Sequence, residues 1–399
     1  MPRKKLLITA MSMNIGGAEK SLINLLNLLD YDKFDVDLLL FQRKGEFLPQ
    51  VPEHVRILSV PEIDLLYGVE PLQRVSLFKK AALTTYRYIA TAATMIVERQ
   101  FDRRRLMRWR RFYSACVPTL PKRYDYAVSY SGGETFWYIV DKVEADVLVA
   151  YYHNDYSNID IDVQGEGRYL EAASYIATIS DICAESLRKL FSSQSEKVRI
   201  VQNPTCVSLT KKLGSESIPD GFSDVGDKLK IVSVGRVEDS KGFDMAVRAA
   251  ALVKKEVGDR FEWIIVGDGS QREAIENLVK RAAVDDVVRL VGSKLNPYPY
   301  IAQADLLAQT SRFEGKSVVV DEARVFGLPV LATAYSSASD QVRDGVDGMI
   351  VPMNPEGIAL GIKRIIEEPE CFARLSSGAR TVNVASLEDI SSFIRLLAD

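Results

Sequence analysis

Residues 229–269 read LKIVSVGRVEDSKGFDMAVRAAALVKKEVGDRFEWIIVGDG. Leu229 to Gly235 and Phe261 to Gly267 are short, almost unbroken apolar runs, each closed by glycine. Between them Asp244 to Lys255 carries apolar residues at spacings of three and four, the period of a helix with one buried face. A strand, a helix and a strand in this order form a βαβ unit. A strand apolar on both faces belongs in a parallel sheet covered by helices on both sides.

Working toward the C-terminus, Val287 to Gly292, Asp305 to Thr310, Pro329 to Thr333 and Gly348 to Val351 repeat the strand pattern. Gln271 to Ala283 and Val318 to Phe326 repeat the helical one. Together they predict a complete doubly wound domain over 229–385. Toward the N-terminus, Lys5 to Ala10, Val36 to Phe41, Tyr126 to Tyr130, Val147 to Tyr152, Tyr175 to Ser180 and Val198 to Val201 predict a second Rossmann-like domain over 1–205. A long helical insertion interrupts it between about residues 60 and 115. Residues 206–228, rich in Lys, Ser, Gly and Asp, read as a linker. Residues 386–399 read as an amphipathic helix that crosses back to the first domain. A length of 399 residues suits two such cores.

Composition narrows the function classes. With 47% apolar and 26% charged residues and a net charge of -3, the chain reads as a globular protein with no global attraction for nucleic acid. Cys116, Cys183, Cys206 and Cys371 are far apart and there are two histidines, so neither a disulfide framework nor a zinc site is expected, and a reducing cytosol fits. The basic start Met1-Pro-Arg-Lys-Lys leads into Leu6 to Ala10, but Ser12, Asn14 and Gly16-Gly17 soon break the apolar run, which reads as a first strand rather than a leader. No run reaches the roughly 18 apolar residues that span a bilayer.

Open parallel sheets bind ligands at the carboxyl ends of their strands, so the loops there carry the candidate site. After Gly235 come Arg236 and Lys241, two cations in a loop that opens a helix. Such a loop suits a diphosphate, because arginine offers a planar fork, lysine a point charge and the helix its first amides. Alone, the pair reads equally as solvated surface charge. After Thr310 comes Ser311-Arg-Phe-Glu314-Gly315-Lys316-Ser317-Val318, with Glu322 farther along the helix. Two carboxylates there suit sugar hydroxyls, and Gly315 lets backbone approach a phosphate; the alternative is an acid favouring the helix dipole plus a solvated glutamate. In the first domain Gly16 and Gly17 stand between a strand and a helix without the G-x-G-x-x-G dinucleotide pattern. They form either a phosphate-facing loop or a tight turn. His153 follows the strand Val147 to Tyr152, and a lone histidine is more often structural than functional.

The ordered series Gly235-Arg236, Lys241-Gly242, Val266-Gly-Asp-Gly269, Glu314 with Glu322, Gly327-Leu-Pro-Val330 and Asp347-Gly348-Met-Ile-Val-Pro352 resembles family 4 of the GT-B glycosyltransferases. The resemblance covers the second domain closely and the first loosely. It implies two Rossmann-like domains facing across a cleft, and a retaining enzyme that needs no metal or other cofactor. Arg236 and Lys241 would hold the donor diphosphate. Glu314 would touch the transferred sugar and Glu322 the ribose, while Gly315 and the amides of Lys316, Ser317 and Val318 complete the phosphate cradle. Gly16-Gly17 and His153 would close on the donor from the other domain, so that the catalytic set is Glu314, His153, Arg236 and Lys241. The family usually carries an aromatic or aliphatic residue where Lys316 stands. UDP is the expected nucleotide from the family's commonest usage.

Between Glu98 and Tyr113 seven arginines stand against two acids, interleaved with Phe101, Leu106, Met107, Trp109 and Phe112. Arg103, Arg104, Arg105, Arg108 and Trp109 predict a patch on the acceptor domain that lies on an anionic membrane. The alternative is a solvated face or an internal contact. The acceptor expected with it is a lipid-linked or surface-polysaccharide precursor at the inner face of the membrane, with no nucleic acid involved. Two rivals share the fold: a sugar-nucleotide epimerase, which needs no acceptor, and a partner subunit without chemistry.

Overall fold

The computed structural model describes residues 2–153, 156, 161–223 and 227–398. The chain divides into two compact units, Met1–Pro204 with Ile390–Asp399, and Thr205–Asp389.

The first unit is built on a seven-stranded sheet: β1 (Lys4–Ala10), β2 (Phe34–Leu40), β3 (Arg56–Leu58), β4 (Tyr124–Ser129), β5 (Ala145–Tyr152), β6 (Tyr175–Thr178) and β7 (Val198–Ile200). Their order is β3-β2-β1-β4-β5-β6-β7, and every pair is parallel. The second unit holds β8 (Leu229–Val234), β9 (Phe261–Val266), β10 (Val288–Gly292), β11 (Leu306–Gln309), β12 (Val330–Thr333) and β13 (Gly348–Val351), in the order β10-β9-β8-β11-β12-β13 and again all parallel. Two doubly wound α/β units are therefore present, as the alternation of apolar runs and helical periods predicted.

The reason is visible in β9, where every residue is buried. Phe261, Trp263 and Ile265 pack on one face with the helices Phe243–Val257 and Pro355–Glu367, and Ile264 and Val266 pack on the other with Tyr298, Ile301 and Val320. The polar edge of Trp263 is satisfied in series. The Trp263 indole N–H donates to Ser233 Oγ at 3.0 Å, and Ser233 donates to the Ala308 carbonyl at 2.5 Å.

Two local readings change. Arg56–Leu58 is an edge strand of three residues, too short to show a period. Within the stretch read as linker, Val207–Gly214 is a helix that buries Thr210; residues 224–226 of that stretch lie outside the described residues. The C-terminal helix spans Ser391–Ala398 and buries Phe393, Leu396 and Leu397 in the first unit.

Candidate functional site

Both sheets reverse direction between their first and fourth strands. Chain connections leave β8 toward β9 and β11 toward β12, so the loops after β8 and β11 diverge and leave a crevice at the carboxyl edge. In the second unit these two loops are the ones that carry Arg236, Lys241 and Glu314.

The β8 loop closes with a single turn at Asp239–Lys241 and with Gly242 at φ +64°, from which the helix Phe243–Val257 starts. A Cβ at Gly242 would stand 2.2 Å from the Thr310 carbonyl oxygen, so only glycine lets the two loops meet. They are then laced together. The Thr310 hydroxyl donates to the Lys241 carbonyl at 3.0 Å, and the Arg312 amide donates to the Ser240 carbonyl at 2.8 Å. The Arg312 guanidinium grips Asp244 through two bonds of 2.8 Å and the Asp239 carbonyl through a third. Hydrogen bonding from Arg312 holds the Asp244 carboxyl below the usual carboxylate range.

On this frame Lys241 Nζ lies 2.6 Å from Glu314 Oε1. The same oxygen accepts from Gln309 Nε2 and from Ser311 Oγ, each at 2.6 Å. The Ser337 hydroxyl donates to the Glu314 carbonyl at 2.9 Å. A buried carboxylate with three donors on one oxygen is fixed in place, and it fixes the lysine with it. The lysine stem runs 3.4 Å from where a Cβ on Gly235 would sit, which brings the first glycine of the motif series to the same spot. Arg236 is placed differently: its side chain is 68% exposed and meets Glu238 at 3.2 Å.

Glu322 is fully buried in the helix Val318–Val325, and Oε1 accepts from the Tyr298 hydroxyl at 3.2 Å. Lys316 turns onto Asp321 at 3.2 Å. The Ser317 amide, expected in the phosphate cradle, donates instead to Gln341 Oε1 at 2.8 Å, while Gln341 returns a bond to the Ser317 carbonyl. Val318 lies in the helix's first turn, where amides have no partner within the helix.

In the first unit Gly16 caps the helix Gly17–Leu28 in an extended conformation, and the Glu19 carboxylate folds back against it. His153 follows β5 and packs against the rings of Tyr151 and Tyr130, with centroids at 4.2 and 4.7 Å. Burial pushes its imidazole down to about 4. The Tyr130 backbone and the Asn203 side chain pull the other way, and among the described residues neither buried ring nitrogen has a hydrogen-bond partner. The ring is neutral at physiological pH and can donate or accept one hydrogen bond from a ligand.

The arginine segment is only partly a surface. Arg105 reaches Glu134 at 3.1 Å and Arg108 reaches it at 3.2 Å, and Glu134 is buried. Trp109 is 0% exposed and its indole N–H donates to Asp141 at 2.7 Å. These three residues, read as part of a membrane patch, are internal. Two arginines turn inward because one buried carboxylate needs them. Arg103 is exposed, with Asp162 4.0 Å away, and Arg104 lies over the Phe101 ring at 5.5 Å.

Several partners were not singled out from sequence: Arg312, Gln309, Ser311, Tyr298 and Gln341 in the second unit, and Glu134 in the first. A signal existed for Glu134, since Ser131-Gly-Gly-Glu134 follows β4 at the carboxyl edge.

Two doubly wound parallel α/β units of this kind are the architecture of the GT-B fold. Residues 216–382 match the family model for "Glycosyl transferases group 1". The matched stretch contains the whole motif series from Gly235 to Pro352. Relatives include a D-inositol 3-phosphate glycosyltransferase of Kribbella flavida, 30% identical over 200 residues, or 47% of each chain. Another, of Campylobacter jejuni, is named as an N-acetylgalactosamine-N,N'-diacetylbacillosaminyl-diphospho-undecaprenol 4-alpha-N-acetylgalactosaminyltransferase. It is 28% identical over 199 residues, 49% of this chain and 52% of its own. The alignment spans about half the length of these curated relatives. Anabaena HepE, solved in complex with UDP-glucose, superposes with a TM-score of 0.68 at 18% identity over 99% of this chain and 98% of its own, which is a likeness of fold.

Proposed function

We propose that this protein is a retaining, metal-independent glycosyltransferase that moves a sugar from a UDP-sugar to a lipid-linked or surface-polysaccharide precursor. The observation that carries the reading is the Lys241–Glu314 pair, held between the loops of β8 and β11. In the transfer, the bond from the anomeric carbon to the phosphate oxygen breaks with its electrons going to the diphosphate. Lys241 and Arg236 stabilise that charge. Glu314 sits beside Lys241, where it holds a sugar hydroxyl. Glu322 holds the ribose, and the neutral His153 gives a hydrogen bond to the donor sugar. The acceptor oxygen bonds to the anomeric carbon on the departing face, and its proton passes to a phosphate oxygen. Relatives that act on an inositol phosphate or a diphospho-undecaprenol glycan support an acceptor of this range. The protein works at the cytosolic face of a membrane; no helix among the described residues is long and apolar enough to cross one.

The test is a thermal-shift series with UDP, GDP, ADP and CDP and their sugars. A ligand at about 100 times its Kd stabilises by about 2.7 kcal/mol. UDP and UDP-sugars should raise Tm, and the donor should turn over only with an acceptor present. No shift with any nucleotide, or release of an epimerised sugar without acceptor, overturns the reading.

A further inference from the structure

The helix Leu77–Val97 is inverted relative to an ordinary surface helix. Its inner face is narrow: Leu83, Tyr86, Ala90 and Thr94 pack toward the core of the first unit, and the Tyr86 hydroxyl donates to the Phe112 carbonyl at 3.2 Å. Its outer face is the apolar one. Phe78, Ala82, Thr85, Ile89, Ala92 and Ile96 follow each other at intervals of three and four and are exposed, Phe78 at 85% and Ile96 at 84%. Leu77, Tyr88 and Met95 widen the stripe. Of the 17 large apolar side chains exposed among the described residues, nine lie between Leu72 and Phe101. From Phe78 to Ile96 the stripe runs about 27 Å at the usual helical rise. Scattered exposed apolar residues are normal, but an aligned row on a single helix marks a surface that something covers.

Charge says what covers it. Residues 71–113 hold eleven lysines and arginines against two acids, Glu98 and Asp102. On a net charge of -3 for the whole chain, that segment carries +9 and the remainder -12, with Lys79, Lys80, Arg105 and Arg108 of the segment paired to Glu62, Glu70 and Glu134. The helix itself contains no acid, and exposed Arg99, Arg103, Arg110 and Arg111 follow it. A second copy offering the same face would bring two cationic surfaces together. An apolar stripe edged by arginine instead complements an interface with acyl chains below and anionic headgroups beside them.

We infer that the outer face of Leu77–Val97 inserts into the surface of an anionic phospholipid membrane, with Arg99 and Arg103 at the headgroups. The helix lies in the membrane plane; the arginine segment that follows is an electrostatic flank. This deepens the membrane part of the proposed function and rests on that part only for its purpose.

Vesicle co-sedimentation of the full chain tests it. The parent should bind vesicles of phosphatidylcholine with phosphatidylglycerol at low salt, and bind phosphatidylcholine alone far less. Phe78→Ser, Ile89→Ser and Ile96→Ser together should weaken binding on the order of a hundredfold, since each removes a large apolar group that would leave water. These side chains are exposed, so the far-UV spectrum and Tm should stay parental. Arg99→Gln and Arg103→Gln should each weaken low-salt binding about fivefold and change little at high salt. Failure of the parent to bind anionic vesicles at low salt overturns the inference, as does parental binding by the triple serine variant. It also fails if the parent is a concentration-dependent dimer without lipid and the triple variant is a monomer. Transfer to a water-soluble acceptor analogue, measured alongside, should be equal in parent and triple variant. Its absence from both would strike the glycosyltransferase reading while the vesicle result stands.

Discussion

Lys241→Met removes the ammonium from Glu314 while keeping most of the stem. The carboxylate retains Gln309 and Ser311 as donors, so it stays hydrogen-bonded but loses its counter-charge. Exposed ion pairs are worth about 0 to 1 kcal/mol, and breaking a buried one costs about 3 to 5. With side chains 22% and 10% exposed, this pair lies between them, at about 2 kcal/mol. For a unit the size of Thr205–Asp389 that lowers Tm by about 4 to 8 °C. Glu314→Gln combined with Lys241→Met should then cost less than the two single changes summed, by about 1 kcal/mol, because both delete one interaction. Differential scanning calorimetry of the four proteins measures this cycle. The same samples with UDP separate architecture from chemistry: Lys241→Met should lose most of the UDP-induced rise in Tm. Arg236→Ala, at an exposed position, should keep the parental apo Tm and lower kcat on the order of 10² to 10³. A parental Tm for Lys241→Met would refute the energetics. A lowered Tm with an undiminished UDP shift would leave the lysine as structural and refute its diphosphate role.

Gly242→Ala forces a side chain into a left-handed turn and against the Thr310 carbonyl, so urea unfolding should show a loss of about 2 kcal/mol or more, with weaker UDP binding in calorimetry. Glu322→Gln should weaken bare UDP by about tenfold or more, whereas Glu314→Gln should spare UDP and lower transfer; the reverse order would exchange the two roles. His153 makes stability depend on pH in the acid range. Its folded value of about 4 lies below the unfolded 6.5, so stability is full above about pH 6.5 and falls as pH drops toward 4, by about 3 kcal/mol in all. His153→Phe should remove that component from urea midpoints taken between those limits, and an unchanged pH slope would show that the imidazole is not buried neutral.

Twelve of the thirteen strands were legible because buried parallel strands announce themselves as apolar runs ending in glycine or a turn. Arg56–Leu58 and Val207–Gly214 were not: one is too short to show a period, and the other is a polar helix whose place is set by packing. Positions of Lys241 and Glu314 were legible from the carboxyl-end rule together with the motif series. Their bond was not, because it joins residues 73 apart and depends on Gly242 and Arg312 drawing two loops together. The arginine segment shows the limit most sharply. Charge is written in sequence but direction is not, and Glu134, 29 residues beyond Arg105, decides which arginines turn inward.

The two sheets share the order in which the first strand lies between the second and the fourth, so each unit has a crevice at the same place in its topology. Their chemistry differs. In the second unit the paired loops bring cations and a carboxylate. In the first, residues 11–16 and 130–133 contain no charged side chain at all, and the nearby His153 is neutral. Glycine backbone, tyrosine rings and a neutral imidazole offer hydrogen bonds to uncharged hydroxyls, while the charged groups next to them are Glu19, against Gly16, and Glu166, which accepts from the Gly133 amide at 3.3 Å. A crevice with Lys241 suits a ligand that carries negative charge. Recognition of a nucleotide-sugar needs both kinds of surface, because the molecule is a neutral ring joined to an anionic diphosphate. Motifs are dense in the second unit, since recognition of charge requires particular residues at particular places, whereas hydroxyl recognition can be met by backbone and by many side chains.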